Sequence, residues 1–216
     1  MTPLKFYKRE AKKSLENNWG DAAIATLVFF ITTFLLTFAV QGICTLCGIN
    51  HSISFTENFK SDWASTIASI IALPLVWGFY VVFLGLCRGE KITISKIFDG
   101  YRGNEFVRIF TTLFIYCIGV IIGFILFIIP GIILSLCWCM VPFVLKDHPE
   151  LKNMAALKES ARIMNGHKMR LFLLILSFIG WLIIGLITFG IGFIWIEPYM
   201  MTTLAKFYED ITKSEA

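Results

Sequence analysis

The sequence predicts an all-α polytopic membrane protein with six transmembrane helices and amphipathic interfacial helices between them. Three observations predict it. Of the 216 residues 57% are hydrophobic and only 16% charged, and the mean hydropathy is +0.75. An ordinary soluble domain carries roughly 25% charged residues and could not hide that much apolar surface. The apolar residues fall in six runs, at 22–47, 64–87, 106–129, 131–145, 171–189 and 190–208. About 20 apolar residues cross the hydrocarbon layer as a helix, lipid offers the backbone no partner, and no run alternates with the period of a barrel strand. Threading these runs back and forth leaves all but Lys60 of the 19 Lys and Arg residues on one side, a positive-inside bias that makes both termini cytoplasmic.

Residues 3–18 come first. Thr2-Pro3 supplies a helix start, Leu4, Tyr7, Ala11, Leu15 and Asn18 share one face, and Lys5, Lys8, Arg9, Lys12 and Lys13 spread over the other. This pattern predicts a helix lying along the membrane surface. A basic amphipathic start is not a cleavable leader, so span 22–47 is expected to be its own targeting signal.

A polar connection at 48–63, with Glu57, Lys60 and Asp62, leads to the second span, 64–87. Arg88, Lys91, Lys96, Arg102 and Arg108 follow, with a short helix expected near Ser95-Lys96-Ile97-Phe98. Spans three and four are joined by a tight turn at Pro130-Gly131, where proline stops one helix and glycine accepts positive φ. Gly119 and Gly123 form a Gly-xxx-Gly pair read as helix packing, with Gly180 and Gly185 alike in the fifth span. From His148-Pro149-Glu150 to Gly166 another amphipathic helix is expected, its stripe being Met154, Leu157, Ala161 and Met164. The last two spans turn at Gly190-Ile191-Gly192.

Similar short strings precede the odd-numbered spans: Leu15-Glu16-Asn17-Asn18-Trp19, Tyr101-Arg102-Gly103-Asn104-Glu105 and Met164-Asn165-Gly166-His167-Lys168. Each even-numbered span holds a proline, at Pro74, Pro142 and Pro198. The simplest account is one membrane domain of three helical-hairpin units, 1–87, 92–145 and 148–210.

The C-terminal two-fifths carries further strings: Ile129-Pro130-Gly131-Ile132-Ile133, Met140-Val141-Pro142, Asp147-His148-Pro149-Glu150-Leu151, Leu176 to Trp181, Thr188 to Gly192, Pro198-Tyr199 and Phe207-Tyr208. With Met164 to Lys168 and the N-terminal Ala11, Leu15 and Asn18-Trp19, they resemble a bacterial integral membrane family, domain of unknown function nine-seven-five. The resemblance implies a multispan protein of the bacterial inner membrane and brings no activity with it. The chain departs from the family pattern at Leu134, Leu136 and Trp138, which replace more polar or tyrosine residues, and an acid at Glu197 is not a fixed family feature.

Glu197 is the sharpest local signal, about 10 Å below the external turn in a run without Lys or Arg. Burial would raise its pKa and let it exchange a proton or bind a cation, and Pro198 frees the carbonyl of residue 194 beside it, with Tyr199 next. The plainer reading is a protonated acid bonded to a neighbouring helix. Asp147, His148, Glu150 and His167 bracket the third interfacial helix without any metal-binding spacing, and Asp21 and Asp99 read as caps or local pairs. The six cysteines are too scattered for a disulfide framework. No nucleophile elbow, phosphate loop or dinucleotide fingerprint occurs.

The net charge of +4 flanks apolar runs, which points to anionic headgroups and away from nucleic acid. The reading is therefore a non-enzymatic membrane protein without cofactor, organising or sensing the cytoplasmic lipid interface through Lys5, Lys8, Arg9, Lys12, Lys13, His167 and Lys168 as an envelope accessory. A membrane protein partner or self-association stays open. The alternative is a small transporter or channel for an amphiphile or ion, with Glu197 as coupling acid.

Overall fold

The computed structural model describes residues 4–47, 63–103 and 105–213. These form eleven α-helices and one 3-10 helix, with no strand among the described residues. The expected connection with Glu57, Lys60 and Asp62 lies outside the described residues.

Helix α1 (Leu4–Leu15) buries the face expected of it, with Tyr7, Ala11 and Leu15 fully enclosed. It is enclosed by protein, not by lipid. The Tyr7 ring meets Phe207 of the last helix, α11 (Phe193–Lys213), edge-on at 5.4 Å, and its hydroxyl donates to Asp210 at 2.5 Å. The apolar face is covered by the bundle, so the side of α1 left open is the one that carries Lys5, Arg9, Lys12 and Lys13.

Helix α2 (Trp19–Leu46) turns Phe34 and Phe38, each about 70% exposed, away from the bundle, as a lipid-facing helix must. The second expected span is two helices, α3 (Trp63–Ile71) and α4 (Leu73–Cys87), bent by 42°. Pro74, one residue into α4, has no N–H for the carbonyl four residues back, so the ladder breaks there. Helix α4 is then buried on every side from Leu75 to Leu86 except at Val76 and Tyr80.

Its cover includes a 3-10 helix, Ile94–Tyr101, in the connection where a short helix was expected. The approach is backbone to backbone. A Cβ on Gly78 would lie 2.0 Å from the Ile97 carbonyl oxygen, and one on Gly100 would lie 2.5 Å from that of Pro74. The Tyr101 hydroxyl donates to the Ile71 carbonyl at 2.6 Å, next to the bend.

Helices α5 (Glu105–Leu126) and α6 (Ile128–Trp138) make the expected hairpin, but it turns at Phe127, which is extended, and not at Pro130-Gly131. Pro130 sits in the first turn of α6, where no amide needs an intrahelical partner. Gly131 serves contact, since a Cβ there would meet the Phe124 ring at 2.6 Å. Gly123 faces the Gly131 backbone and Gly119 takes the Trp138 ring, so the small residues act as helix-packing positions.

After α7 (Val141–Asp147), helix α8 (Met154–Ile163) is shorter than expected, and of the expected stripe Leu157 and Met164 are buried while Met154 and Ala161 are not. It buries Ala156, Leu157, Ser160 and Ile163, while Met154 is 52% exposed. The Ser160 hydroxyl donates to the Cys137 carbonyl at 2.9 Å, which lets a polar residue occupy the inner face. Helices α9 (Lys168–Leu176) and α10 (Ile179–Ile187) continue one another across Ser177-Phe178. The corner into α11 uses positive φ at Phe189 and Gly190, with the Gly192 amide donating to the Thr188 hydroxyl at 2.9 Å.

Four stretches are long and apolar enough to cross a membrane: Trp19–Leu46, Glu105–Leu126, Ile128–Asp147 and Lys168–Ile187. The bent pair, Ala64–Ile71 with Leu73–Cys87, is apolar enough to make a fifth if its two helices form one broken span. In α11 the apolar stretch is interrupted by Glu197 and gives way to Lys206, Glu209, Asp210 and Lys213.

Candidate functional site

Helices α4, α7 and α11, which carry Pro74, Pro142 and Pro198, end together, and charge joins them. Arg88, the C-cap of α4, places its two terminal nitrogens 2.7 Å from each carboxylate oxygen of Asp147 at the end of α7. Its Nε donates to Glu209 of α11 at 2.6 Å. Tyr208 donates to Asp147 at 2.9 Å, and Lys206 to the Cys87 carbonyl at 3.1 Å, at the negative end of the α4 dipole. The hydrogen bonds that Arg88 donates to Asp147 hold its pKa above even its usual high value. One planar cation thus bridges two acids, which a lysine's single ammonium could not match.

A second cluster stands beside it. Arg170 of α9 donates to the Tyr7 hydroxyl and lies 3.5 Å from Asp210, so α1, α9 and α11 share one polar joint. A third is built on Arg108, which pairs with Glu105 and donates to the carbonyls of Leu145 and Leu151 at 3.1 and 3.0 Å. Nearby, Asn153 accepts from Thr111 and its amide donates to Thr112, each at 2.8 Å, which ties α8 to α5.

The expected interfacial residues divide. Lys5, Arg9, Lys12 and Lys13 point outward from α1. Lys8 turns inward, donating to the Ser177 carbonyl at 2.9 Å with its ammonium 4.2 Å above the Phe178 ring. Burial pulls its pKa below the usual lysine range. His167 is the N-cap of α9, with Nδ1 3.2 Å from Arg170, and Lys168 opens that helix, half-buried. His148 pairs with Glu150 at 3.0 Å, while Asp147 belongs to Arg88. Among the described residues no three His, Cys, Asp or Glu side chains gather as a metal-binding group.

Glu197, Pro198 and Tyr199 face different surroundings. Pro198 is buried inside α11 and Glu197 is half-buried, with no hydrogen-bond or ion-pair partner among the described residues. The Tyr199 ring packs among Phe178 at 5.3 Å, Trp181 at 6.0 Å and Trp19 at 6.5 Å. The three consecutive residues therefore do not converge on one point.

Much of this joint, and most of the strings that carry the family resemblance, lies in the second half of the chain. Residues 111–215 match the family described as Protein of unknown function (DUF975). The DUF975 match takes in Asp147, Arg170, Glu197, Tyr208, Glu209 and Asp210, and leaves outside it their partners Arg88 and Tyr7. The N-terminal strings Ala11, Leu15 and Asn18-Trp19 also lie outside it. Nothing matches the chain among curated proteins or among solved structures.

Sequence reasoning missed the Arg88, Asp147 and Glu209 joint. Its one signal is that Arg88 and Asp147 each stand just beyond an apolar run, at ends that the threading puts on the same side. Within the DUF975 match, Asp147 read as part of a helix start because Pro149 and Glu150 follow it.

Proposed function

We propose that the protein is a non-enzymatic, six-span protein of the bacterial inner membrane, both termini cytoplasmic, which gathers anionic lipid at its basic end as an accessory to the envelope. The observation that carries this reading is the set of α1. Its apolar face is locked onto α11, so Lys5, Arg9, Lys12 and Lys13 are held outward on a fixed helix. Charge on a rigid support draws headgroups without the cost of ordering a tail, at about 1 kcal/mol per lysine near an anionic surface. The attraction is electrostatic and does not need insertion of α1. In this reading the sixth span is the apolar part of α11, and the three units 1–87, 92–145 and 148–210 are repeats. The meeting of Arg88, Asp147 and Glu209 at the ends of α4, α7 and α11, one helix from each unit, supports that symmetry.

The test is the lipid that leaves the membrane with the protein. Gentle extraction should bring out phosphatidylglycerol or cardiolipin enriched over the bulk membrane, and replacing Lys5, Arg9 and Lys13 by glutamine should reduce the enrichment. A co-purified composition equal to that of the bulk would end the proposal.

A transporter or channel is the second reading, favoured by one observation, the unpartnered carboxyl of Glu197 within an apolar helix. Proteoliposome flux of an ion or amphiphile that disappears in Glu197→Gln would put it first. Flux unaffected by that change would remove Glu197 from the mechanism.

A further inference from the structure

Where α1, α2, α10 and α11 meet, Lys12, Trp19, Trp181, Trp195, Ile196 and Tyr199 line an open cleft of about 250 Å³. Tyr199 is its centre, flanked by the Trp19 and Trp181 rings. Trp181 and Trp195 are 45% and 51% exposed. Lys12 is exposed and has no carboxylate partner among the described residues.

The combination selects its occupant. Aromatic faces alone would suit a quaternary ammonium, but a lysine ammonium in the same cleft repels one. The same ammonium attracts an anion, and the indole and phenol rings offer a hydrocarbon-compatible wall with polar edges. Trp and Tyr rings of this kind sit where headgroup gives way to acyl chain. An anion joined to a hydrocarbon tail satisfies both halves of the cleft.

We propose that this cleft is the seat of a single anionic phospholipid, its phosphate on Lys12 and the upper part of one acyl chain against Trp181, Trp195 and Ile196. The proposal rests on the reading that the basic end gathers anionic lipid and narrows it to one position.

The full chain in phosphatidylcholine nanodiscs, doped with dibrominated phosphatidylglycerol or, separately, with dibrominated phosphatidylcholine, tests it through bromine quenching of tryptophan fluorescence. Phosphatidylglycerol should quench at several-fold lower mole fraction. Lys12→Gln should weaken that preference about fivefold, the worth of one lysine at an anionic surface. Trp181→Leu should remove part of the quenching that is specific to phosphatidylglycerol. Equal quenching by the two lipids in the parent protein, or a preference that survives Lys12→Gln, would overturn the seat. Anionic lipid co-purified by that same protein separates the two failures: enrichment without a Lys12-dependent preference leaves the wider reading standing, and no enrichment removes both.

Discussion

The guanidinium of Arg88 grips both carboxylate oxygens of Asp147, joining the ends of α4 and α7 across 59 residues of chain. Removing the cation would leave Asp147 and Glu209 close together with no shared partner. Arg88→Ala is expected to cost about 1–3 kcal/mol, seen as a Tm lower by several degrees in detergent micelles. Arg88→Lys should recover only part of the loss, because an ammonium cannot reach both acids with a planar fork. A lysine variant as stable as the parent would show that charge alone, without geometry, holds this joint.

Gly78 is where the backbone of the 3-10 helix comes closest to α4. In Gly78→Ala the new methyl would collide with the Ile97 carbonyl, so either Ile94–Tyr101 lifts away or α4 shifts, at a cost above about 1 kcal/mol. Gly180→Ala meets nothing within 4 Å and should be neutral or slightly stabilising. Limited proteolysis within 94–101 should accelerate in the first variant only.

The Tyr7 hydroxyl sits between Asp210 and Arg170. Tyr7→Phe keeps the ring against Phe207 but strips a half-buried carboxylate of one donor, at a cost of about 1–3 kcal/mol. Hydrogen exchange should rise along Leu4–Leu15 while α5 and α6 keep their protection. A uniform rise through the whole bundle would mean that α1 is part of the global fold and not a separately docked element.

The connection after α4 should respond to acid. The Lys96 ammonium, 2.5 Å away, holds the Glu90 carboxyl below the usual glutamate range. A carboxyl depressed in the folded state contributes its stabilisation above the unfolded pKa of about 4.3 and loses it as pH falls through the lower folded value. Exchange protection within Ile94–Tyr101, taken relative to the unfolded chain at each pH, should therefore be constant from neutral pH down to mild acid and decrease only as pH falls below the unfolded pKa. Glu90→Gln should abolish this pH step.

Patterns that repeat along a helix were legible in the sequence. The buried face of α1, the hairpin corner near Gly190 and the packing role of Gly119 and Gly123 all follow from local periodicity or residue size. Pairings across the bundle were not. Arg88 and Glu209 are separated by 121 residues, and neither has a neighbour in sequence that marks the other. The inner face of α8 was legible only at Leu157 and Met164, for a different reason: Ser160 looks like a solvent-facing residue until the Cys137 carbonyl is placed opposite it. The bend before α4 had a visible cause in Pro74, yet apolarity continues through it, and hydropathy does not record direction.

The seating of α1 on α11 also sets a timetable for assembly. Tyr7 and Asp210 are 203 residues apart, so a ribosome working at about 5–20 residues per second needs roughly 10–40 s to supply the partner. Throughout that interval the Tyr7, Ala11 and Leu15 face lacks its cover from α11. The docking of α1 is thus among the last steps of assembly, completed only when the C-terminal helix has been made.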